Sequence, residues 1–299
     1  MTTTLRVAGV WLLLSVSGCA WLNDQQRLII YRPTPSTATA SPTLPAVTEI
    51  YFLEVPQNST PQRIAVWWMP QPDAQAPALL YLHGTFRNLQ GNQHKIASLY
   101  AAGFSVLAVD YRGWGQSTAI IPSEQTILQD AHIAWQELVR REAVPGKRVI
   151  YGHSMGSGVA VAMASQLPYP ASYGGVILES AFTSFADIAH QAGFWASVLQ
   201  SFSSEKFASI DKIAKVHAPL LMIHGEQDDT IPIQLGEQLF AAANPPKQWL
   251  SISGGHHSDL DEVGKTPYQQ ALHTFLSKYL APSQASPSAA TGAPTLQAQ

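Results

Sequence analysis

Residues 149–158, VIYGHSMGSG, contain the side chain best suited to nucleophilic chemistry. The pentapeptide GHSMG matches the pattern G-x-S-x-G, in which a serine sits on a sharp turn between a strand and a helix. A β-branched run precedes it and the small-residue segment VAVAMASQL follows it, so the flanking sequence predicts that strand and that helix. We therefore predict that Ser154 is a nucleophile. A glycine-rich turn that serves only packing is the alternative.

A serine hydroxyl is a poor nucleophile unless a base accepts its proton, and the base needs an acid to orient it. The segment PLLMIHGEQDDTIP places Asp228 and Asp229 on a loop after a buried strand. The segment GGHHSDL places His256 and His257 after the last strand, where only one of them can face the serine. The order Ser, Asp, His predicts a catalytic triad, and the choice within each pair stays open at this point.

The elements that must position these residues follow from the apolar patterns. Short apolar runs predict strands at residues 50–55, 63–69, 78–83, 104–110, 148–151, 175–179, 220–224 and 248–252. Helical patterns fall between most of them, including residues 123–141, 154–167, 233–243 and 267–280. Two strands in which apolar and polar residues alternate, followed by β-α repeats with continuous apolar strands, predict a mostly parallel sheet with helices on both faces. Functional groups in such sheets lie on loops at the carboxyl ends of the strands, which is where the residues above fall.

The sequence also resembles a known family. The motifs that carry the resemblance are HGT (83–85), DYRGWGQS (110–117), GHSMGSG (152–158), ESAFTS (179–184), HGEQDDTIP (224–232) and GGHHSD (254–259). They are similar to those of the bud-emergence-like α/β hydrolases, which are close to peptidase-related esterases and depalmitoylase-like proteins. The resemblance implies an α/β-hydrolase fold, with a mostly parallel eight-stranded sheet and a short cap.

The same resemblance implies a choice within each pair of candidate residues. The family's HGxxDxxxP loop implies Asp228 as the acid, and its GHxD ending implies His257 as the base. The sequence departs from the family in having His256 where glycine is usual.

The oxyanion of a tetrahedral intermediate needs two preorganised N–H donors. We predict the backbone N–H groups of Met155, directly after the nucleophile, and of Thr85, on the loop after the strand LLYLHG. The segment after ESAF carries aromatic residues at helical spacing and is too short for a large lid domain. It predicts a short cap that packs on the body, or alternatively an acyl-binding wall that includes Phe182, Phe185 and Trp195.

The N-terminus resembles that of a bacterial lipoprotein. Arg6 precedes VAGVWLLLSV, which is too short for the roughly 20 residues of a spanning helix, so residues 1–18 read as a signal peptide. VSGC resembles a lipobox, which implies lipidation of Cys19, the only cysteine of the chain. Ala20 then implies an outer-membrane protein that faces the periplasm. A chance cysteine after an ordinary signal peptide is the alternative.

Composition predicts how the rest of the chain is organised. Residues 31–47 and 281–299 are rich in Pro, Ser and Thr. Residues 19–47 are therefore predicted to form a flexible tether and residues 281–299 a disordered tail. Residues 48–280 have the size of one domain. Charged residues make up 12% of the chain and the net charge is −3, which argues against a nucleic-acid partner.

Together these features predict a lipid-anchored serine hydrolase that cleaves carboxylic esters or thioesters of small molecules through an acyl-enzyme. The reaction needs no metal or organic cofactor. An acyltransferase that uses the same triad, a peptidase and a non-catalytic scaffold lipoprotein on a hydrolase fold are the alternatives.

Overall fold

A single sheet forms the centre of the molecule, for which a computed structural model describes residues 21–36, 44–56, 60–201 and 203–280. Its strands are β1 Glu49–Val55, β2 Gln62–Met69, β3 Ala78–Leu82, β4 Ser105–Asp110, β5 Arg148–His153, β6 Gly175–Glu179, β7 Leu220–Gly225 and β8 Lys247–Ile252. Within the described residues the sheet has eight strands in the order β1-β2-β4-β3-β5-β6-β7-β8. The pairs β1/β2 and β2/β4 are antiparallel, and the pairs from β4/β3 to β7/β8 are parallel.

Helices cover both faces of this sheet. They are α1 (residues 21–31), α2 Gln93–Ala101, α3 Glu124–Arg141, α4 Met155–Ala164, α5 Phe185–Ala192, α6 Phe194–Ser201, α7 Ile233–Ala242, α8 Leu260–Val263 and α9 Lys265–Phe275. Short 3₁₀ turns cover Gln90–Asn92, Pro145–Lys147 and Ile213–Lys215, and a π turn covers Leu276–Leu280. Helices α3, α4 and α7 pack on one face, and α2 and α9 pack on the other.

The protein has two hydrophobic cores, one on each face of the sheet, and successive side chains along a strand point alternately into one or the other. On β3, Leu80 and Leu82 join the core under α3 and α4, while Leu79 and Tyr81 join the core under α2 and α9. Because the central parallel strands are covered on both sides, every residue of β3 is buried. The prediction of a mostly parallel sheet with helices on both faces is confirmed.

Local signals explain why the predicted boundaries are close to the observed ones. Helix α3 begins at Glu124 because the Ser123 hydroxyl accepts a hydrogen bond from the Thr126 N–H at 3.1 Å, and the Thr126 hydroxyl accepts one from the Ser123 N–H at 2.9 Å. The prediction missed α2, whose N-terminus has no side-chain cap. It also extended the last helix to residue 280, where a π turn follows α9.

The structure differs from the predicted tether over residues 19–47. Helix α1 lies in that stretch and is tied to the body by Glu205, which accepts a hydrogen bond from the hydroxyl of Tyr31 and one of 2.9 Å from Nε of Arg27. The predicted tether extends the Pro-, Ser- and Thr-rich residues 31–47 back to Cys19, over a stretch that does not share this composition. The predicted signal peptide, Cys19 and the predicted tail lie outside the described residues. Among the described helices, none has the length and apolar character needed to cross a membrane.

Candidate active site

Ser154 lies on a strained turn between β5 and α4. Its φ of 55° falls in a region that residues with side chains rarely adopt, and its N–H donates to the Glu179 carbonyl at 2.9 Å. A Cβ on Gly152 would lie 2.2 Å from the carbonyl oxygen of Gly156, and a Cβ on Gly156 would lie 2.0 Å from that of Leu82. Both positions therefore require glycine. This close approach of helix and strands holds the serine at the carboxyl end of the sheet.

Ser154, His257 and Asp228 form one chain of hydrogen bonds. Oγ of Ser154 lies 2.8 Å from Nε2 of His257, and Nδ1 of His257 lies 2.9 Å from Oδ2 of Asp228. All three residues are buried. Because a carboxylate can only accept, Nδ1 carries the hydrogen of the second bond, which leaves Nε2 to accept from the serine hydroxyl. This geometry suits proton transfer from the serine to the histidine.

Asp228 is held in its charged form. Its Oδ1 accepts hydrogen bonds from the backbone N–H groups of Thr230 at 3.0 Å and Ile231 at 2.8 Å. Burial by itself would raise the pKa of this carboxyl, but hydrogen bonds from His224, His257 and Ile231 outweigh burial and hold the pKa well below its ordinary value. The carboxylate is therefore available at neutral pH to orient and stabilise a protonated histidine.

The competing residues of each pair lie elsewhere. Asp229 and His256 are exposed, and the backbone N–H of His256 donates to the side chain of Asp259 at 2.7 Å. The structure thus brings Asp228 and His257 to Ser154, which is the choice that the family resemblance implied.

Two further side chains fix the backbone of His257, and sequence reasoning did not assign either of them. The His257 carbonyl accepts a hydrogen bond of 2.9 Å from Nε2 of His153 and one of 3.1 Å from Oγ of Ser180. Burial, with smaller contributions from His257 and Lys95, lowers the pKa of His153 well below its ordinary value. Both residues stand inside the quoted motifs GHSMGSG and ESAFTS, which is the signal that could have found them.

A buried cluster of charges adjoins the end of β6. Nζ of Lys95 lies 2.5 Å from Oε1 of Glu179 and 2.8 Å from Oδ1 of Asp261, and the hydroxyls of Tyr151 and Tyr268 donate to Glu179. Burial alone would lower the pKa of Lys95, but the two carboxylates outweigh it and raise that pKa. Sequence reasoning missed this cluster because Lys95 belongs to α2, the helix that it did not predict.

A small cleft lies over Ser154. Its volume of about 20 Å³ admits about one water molecule, and its lining comprises Gly84, Thr85, Phe86, Arg87, Asn92, His153, Ser154, His257 and Ser258. The indole N–H of Trp114 donates to the Thr85 carbonyl at 2.9 Å and so fixes this part of the wall. Met155 is the first residue of α4, where a backbone N–H has no acceptor within its own helix. Over the described ranges, no group of three or more His, Cys, Asp or Glu residues could hold a metal ion.

The predicted acyl-binding wall does not line this cleft. Phe182 and Phe185 are buried and stacked at 5.3 Å, and Phe185 also contacts Phe207 at 5.0 Å and Tyr31 at 6.3 Å between ring centroids. Both phenylalanines therefore belong to the core, and the contact of Phe185 with Tyr31 of α1 is one that the prediction of a flexible tether left out. The side chain of Trp195 lies outside the described part of the structure.

Comparisons with known proteins agree with this architecture. A family model described as serine aminopeptidase, S33, matches residues 73–210. An uncharacterized protein of Mycobacterium tuberculosis strain H37Rv is 32% identical over 277 residues, which cover 92% of this chain and 95% of that protein. The lysophosphatidylserine lipase ABHD12 of Danio rerio is 32% identical over 237 residues, which cover 72% of this chain and 58% of the lipase. An esterase of Pyrococcus furiosus superposes with a TM-score of 0.65 at 17% identity, over 83% of this chain and 97% of the esterase.

These similarities, together with the sheet topology, assign the chain to one class of protein. The chain belongs to the α/β-hydrolase family. The predicted fold class is confirmed by the topology of the sheet and by the likeness to esterase structures. Esterases and a lipase among the relatives support an ester hydrolase in general terms.

Proposed function

We propose that this chain is a serine hydrolase that cleaves carboxylic ester or thioester bonds through an acyl-enzyme. The observation that carries the proposal is the continuous hydrogen-bonded chain from Ser154 through His257 to Asp228. The strained turn that presents Ser154 supports the same assignment, since a buried serine with only a structural role would not require it. The quoted motifs further support a bud-emergence-like member of the α/β-hydrolase family.

The proposed reaction has two halves. In the first, Oγ of Ser154 attacks the carbonyl carbon while Nε2 of His257 takes the serine proton, and the charged Asp228 stabilises the imidazolium that results. The N–H groups of Thr85 and Met155 hold the oxyanion until the leaving group departs with the proton from His257. In the second half, His257 takes a proton from water as the water oxygen attacks the acyl carbon, and Oγ of Ser154 then leaves with the proton that His257 returns.

Hydrolysis of a p-nitrophenyl ester series of increasing acyl length, by the full chain, tests the proposal. We expect a burst of about one p-nitrophenol per enzyme molecule when deacylation is slow, because the acyl group stays on Ser154. Ser154→Ala should abolish the burst and the turnover. Addition of an alcohol separates hydrolysis from acyl transfer, because a transferase would form the new ester instead of the free acid.

Matched variants test the assignment within each pair. Asp228→Ala and His257→Ala should lower kcat by about 10⁴-fold, since each removes a member of the triad. Asp229→Ala and His256→Ala are the controls, and we expect them to keep most of the activity because both residues are exposed and lie away from Ser154. The opposite ranking, in variants that unfold at the wild-type temperature, would contradict the assignment.

We propose a lipid ester with an anionic head group as the substrate class. A relative whose name is lysophosphatidylserine lipase supports a lipid ester, and Arg87, which is exposed and lines the cleft beside Ser154, supports a negative charge. Arg87→Gln should lower kcat/KM for lysophosphatidylserine more than for lysophosphatidylcholine. Arg140→Gln, an exposed arginine at the end of α3, is the matched control. Equal losses on both lipids would contradict a role for Arg87 in charge recognition.

We also propose that Cys19 carries a lipid that anchors the protein, most simply to the outer membrane on its periplasmic side. The support is the hydrophobic segment before VSGC and the alanine that follows it. Cys19→Ala should lose incorporation of labelled palmitate during growth. Unchanged incorporation would contradict lipidation at this residue.

A further inference from the structure

Helix α1 has the reverse of the usual pattern of exposure. Its exposed side chains are Trp21 (64%), Leu22 (57%), Leu28 (37%) and Ile29 (67%), all of which are apolar. The polar side chains from residue 23 to residue 27 are only partly exposed. On a helix that packs against a soluble body and faces water, the apolar side would be the covered one.

Contacts with the body explain why the polar side of α1 faces inward. Nε of Arg27 donates to Glu205 at 2.9 Å. The hydroxyl of Tyr31 donates to the same Glu205, which also accepts from the backbone N–H of Glu124 at 2.5 Å. These bonds set the rotation of α1 about its axis, so the apolar side is held outward.

An apolar cavity continues from this outward side. It has a volume of about 270 Å³ and lies between α1 and the cap helices α5 and α6. On the α1 side it is lined by Leu22, Gln25, Gln26, Ile29 and Ile30, and on the side of the cap helices by Ala189, Ala196 and Gln200. Exposed apolar side chains that adjoin an apolar cavity are typical of a surface that contacts something other than water.

The chain directly before α1 indicates what that surface contacts. The candidate lipidation site Cys19 directly follows the predicted signal peptide and stands two residues before Trp21. Two residues span at most about 7 Å, so a lipid on Cys19 would bring Trp21 to the surface of the bilayer. Tryptophan with leucine and isoleucine on one side of a helix is the composition of helices that lie in a lipid–water interface.

We infer that the apolar side of α1, with the adjoining cavity, lies in the lipid–water interface of a phospholipid bilayer. Trp21, Leu22 and Ile29 insert among the lipid chains, to the depth of about 5–10 Å that interfacial helices reach. The catalytic cleft lies near this surface, because Tyr31 packs on Trp114 at 6.4 Å and Trp114 holds the Thr85 carbonyl in the wall of the cleft. The inference goes beyond the proposed activity, and its choice of a bilayer rests on the proposed lipidation of Cys19.

A reporter attached to α1 tests the inference without any activity measurement. The protein starts at residue 20, so that the predicted signal peptide and the lipid are both absent, and it carries a single new cysteine labelled with an environment-sensitive fluorophore. Ile29→Cys places the label on the proposed surface. Val144→Cys is the matched control, because Val144 is 49% exposed and precedes the amino end of β5, the end of the strand opposite to Ser154. Vesicles contain equal amounts of phosphatidylethanolamine and phosphatidylglycerol, with or without bromine on the acyl chains.

We expect the label at residue 29 to shift to the blue and to lose most of its fluorescence to brominated lipid, while the label at residue 144 does neither. In the same background, Trp21→Gln combined with Ile29→Gln should weaken vesicle binding by about tenfold or more, because two apolar side chains that would be buried in lipid are replaced by polar ones. Vesicle-bound protein whose two labels respond alike would overturn the inference, as would a failure to bind vesicles. A blue shift at residue 29 that depends on protein concentration and not on lipid would assign the surface to a second copy of the chain instead.

Discussion

Replacement of Lys95 by methionine tests the energetic role of the buried charge cluster at the end of β6. The side chains of Lys95, Glu179 and Asp261 are 4%, 0% and 1% exposed. In the variant, both carboxylates would therefore lose their cation and still not be solvated. Removal of one member of a buried ion pair destabilises a protein by about 3–5 kcal/mol. Because one ammonium here pairs with two carboxylates, we expect Lys95→Met to lower the free energy of unfolding by about 5 kcal/mol, the upper end of this range. For a domain of this size, that corresponds to a fall in Tm of about 10–20 °C.

Urea unfolding followed by tryptophan fluorescence measures this loss, and its pH dependence identifies the cause. Without the ammonium, a buried carboxyl binds its proton more tightly in the folded chain than in the unfolded chain. The stability deficit of Lys95→Met should therefore shrink as the pH falls from 7 toward the ordinary carboxyl pKa of about 4. A deficit caused only by lost packing would not depend on pH in this way.

Two comparison variants make the test decisive. A triple variant, Lys95→Met with Glu179→Gln and Asp261→Asn, should recover most of the loss because no charge then remains unpaired. Lys212→Met is the control at a partly exposed ion pair, 3.9 Å from Glu124, where we expect a loss of about 1 kcal/mol or less. Two results would refute this role of the charge cluster. One is a free energy of unfolding that falls no more in Lys95→Met than in Lys212→Met, and the other is a triple variant as unstable as Lys95→Met alone.

Three further predictions concern the turn, a buried acid and the docking of α1. Gly156→Ala should abolish folding or lower Tm strongly, because its Cβ would lie 2.0 Å from a backbone carbonyl of β3, while Gly146→Ala, with nothing within 4 Å, should melt like the wild type. Burial raises the pKa of Asp110 from 3.8 to about 7, so the carboxyl binds its proton more tightly in the folded chain than in the unfolded chain. Stability should therefore fall as the pH rises from about 4 to about 7. Asp110→Asn should remove this fall in Tm, and a Tm that depends on pH as in the wild type would contradict the prediction. Tyr31→Phe should speed amide hydrogen exchange in α1 but not in the central strands, because Glu205 loses one of its donors; exchange that rises equally in both would indicate global destabilisation instead.

Features that depend on neighbouring residues could be predicted from the sequence. The strands were placed within about two residues because their apolar runs are continuous, and the turn at Ser154 was recognisable because a strand, two glycines and a small-residue helix stand next to one another. The order of the site residues along the chain was readable in the same way. Their catalytic roles, the lipidation of Cys19 and the location of the protein stay predictions.

Features that depend on distant residues were decided by the tertiary structure. Ser154 and His257 are 103 positions apart. The family's GHxD ending implied His257 over His256, but the packing of loops at the carboxyl edge of the sheet is what brings His257 to Ser154. Helix α1 falls within the predicted tether, and Glu205, the residue that holds it to the body, lies 174 positions away from Tyr31. The contacts of Tyr31 and Arg27 with Glu205 hold the apolar side of α1 outward, and Tyr31 packs against the buried Phe185. Periodicity shows which side of an element is apolar, but only the packing of the whole chain decides what that side meets.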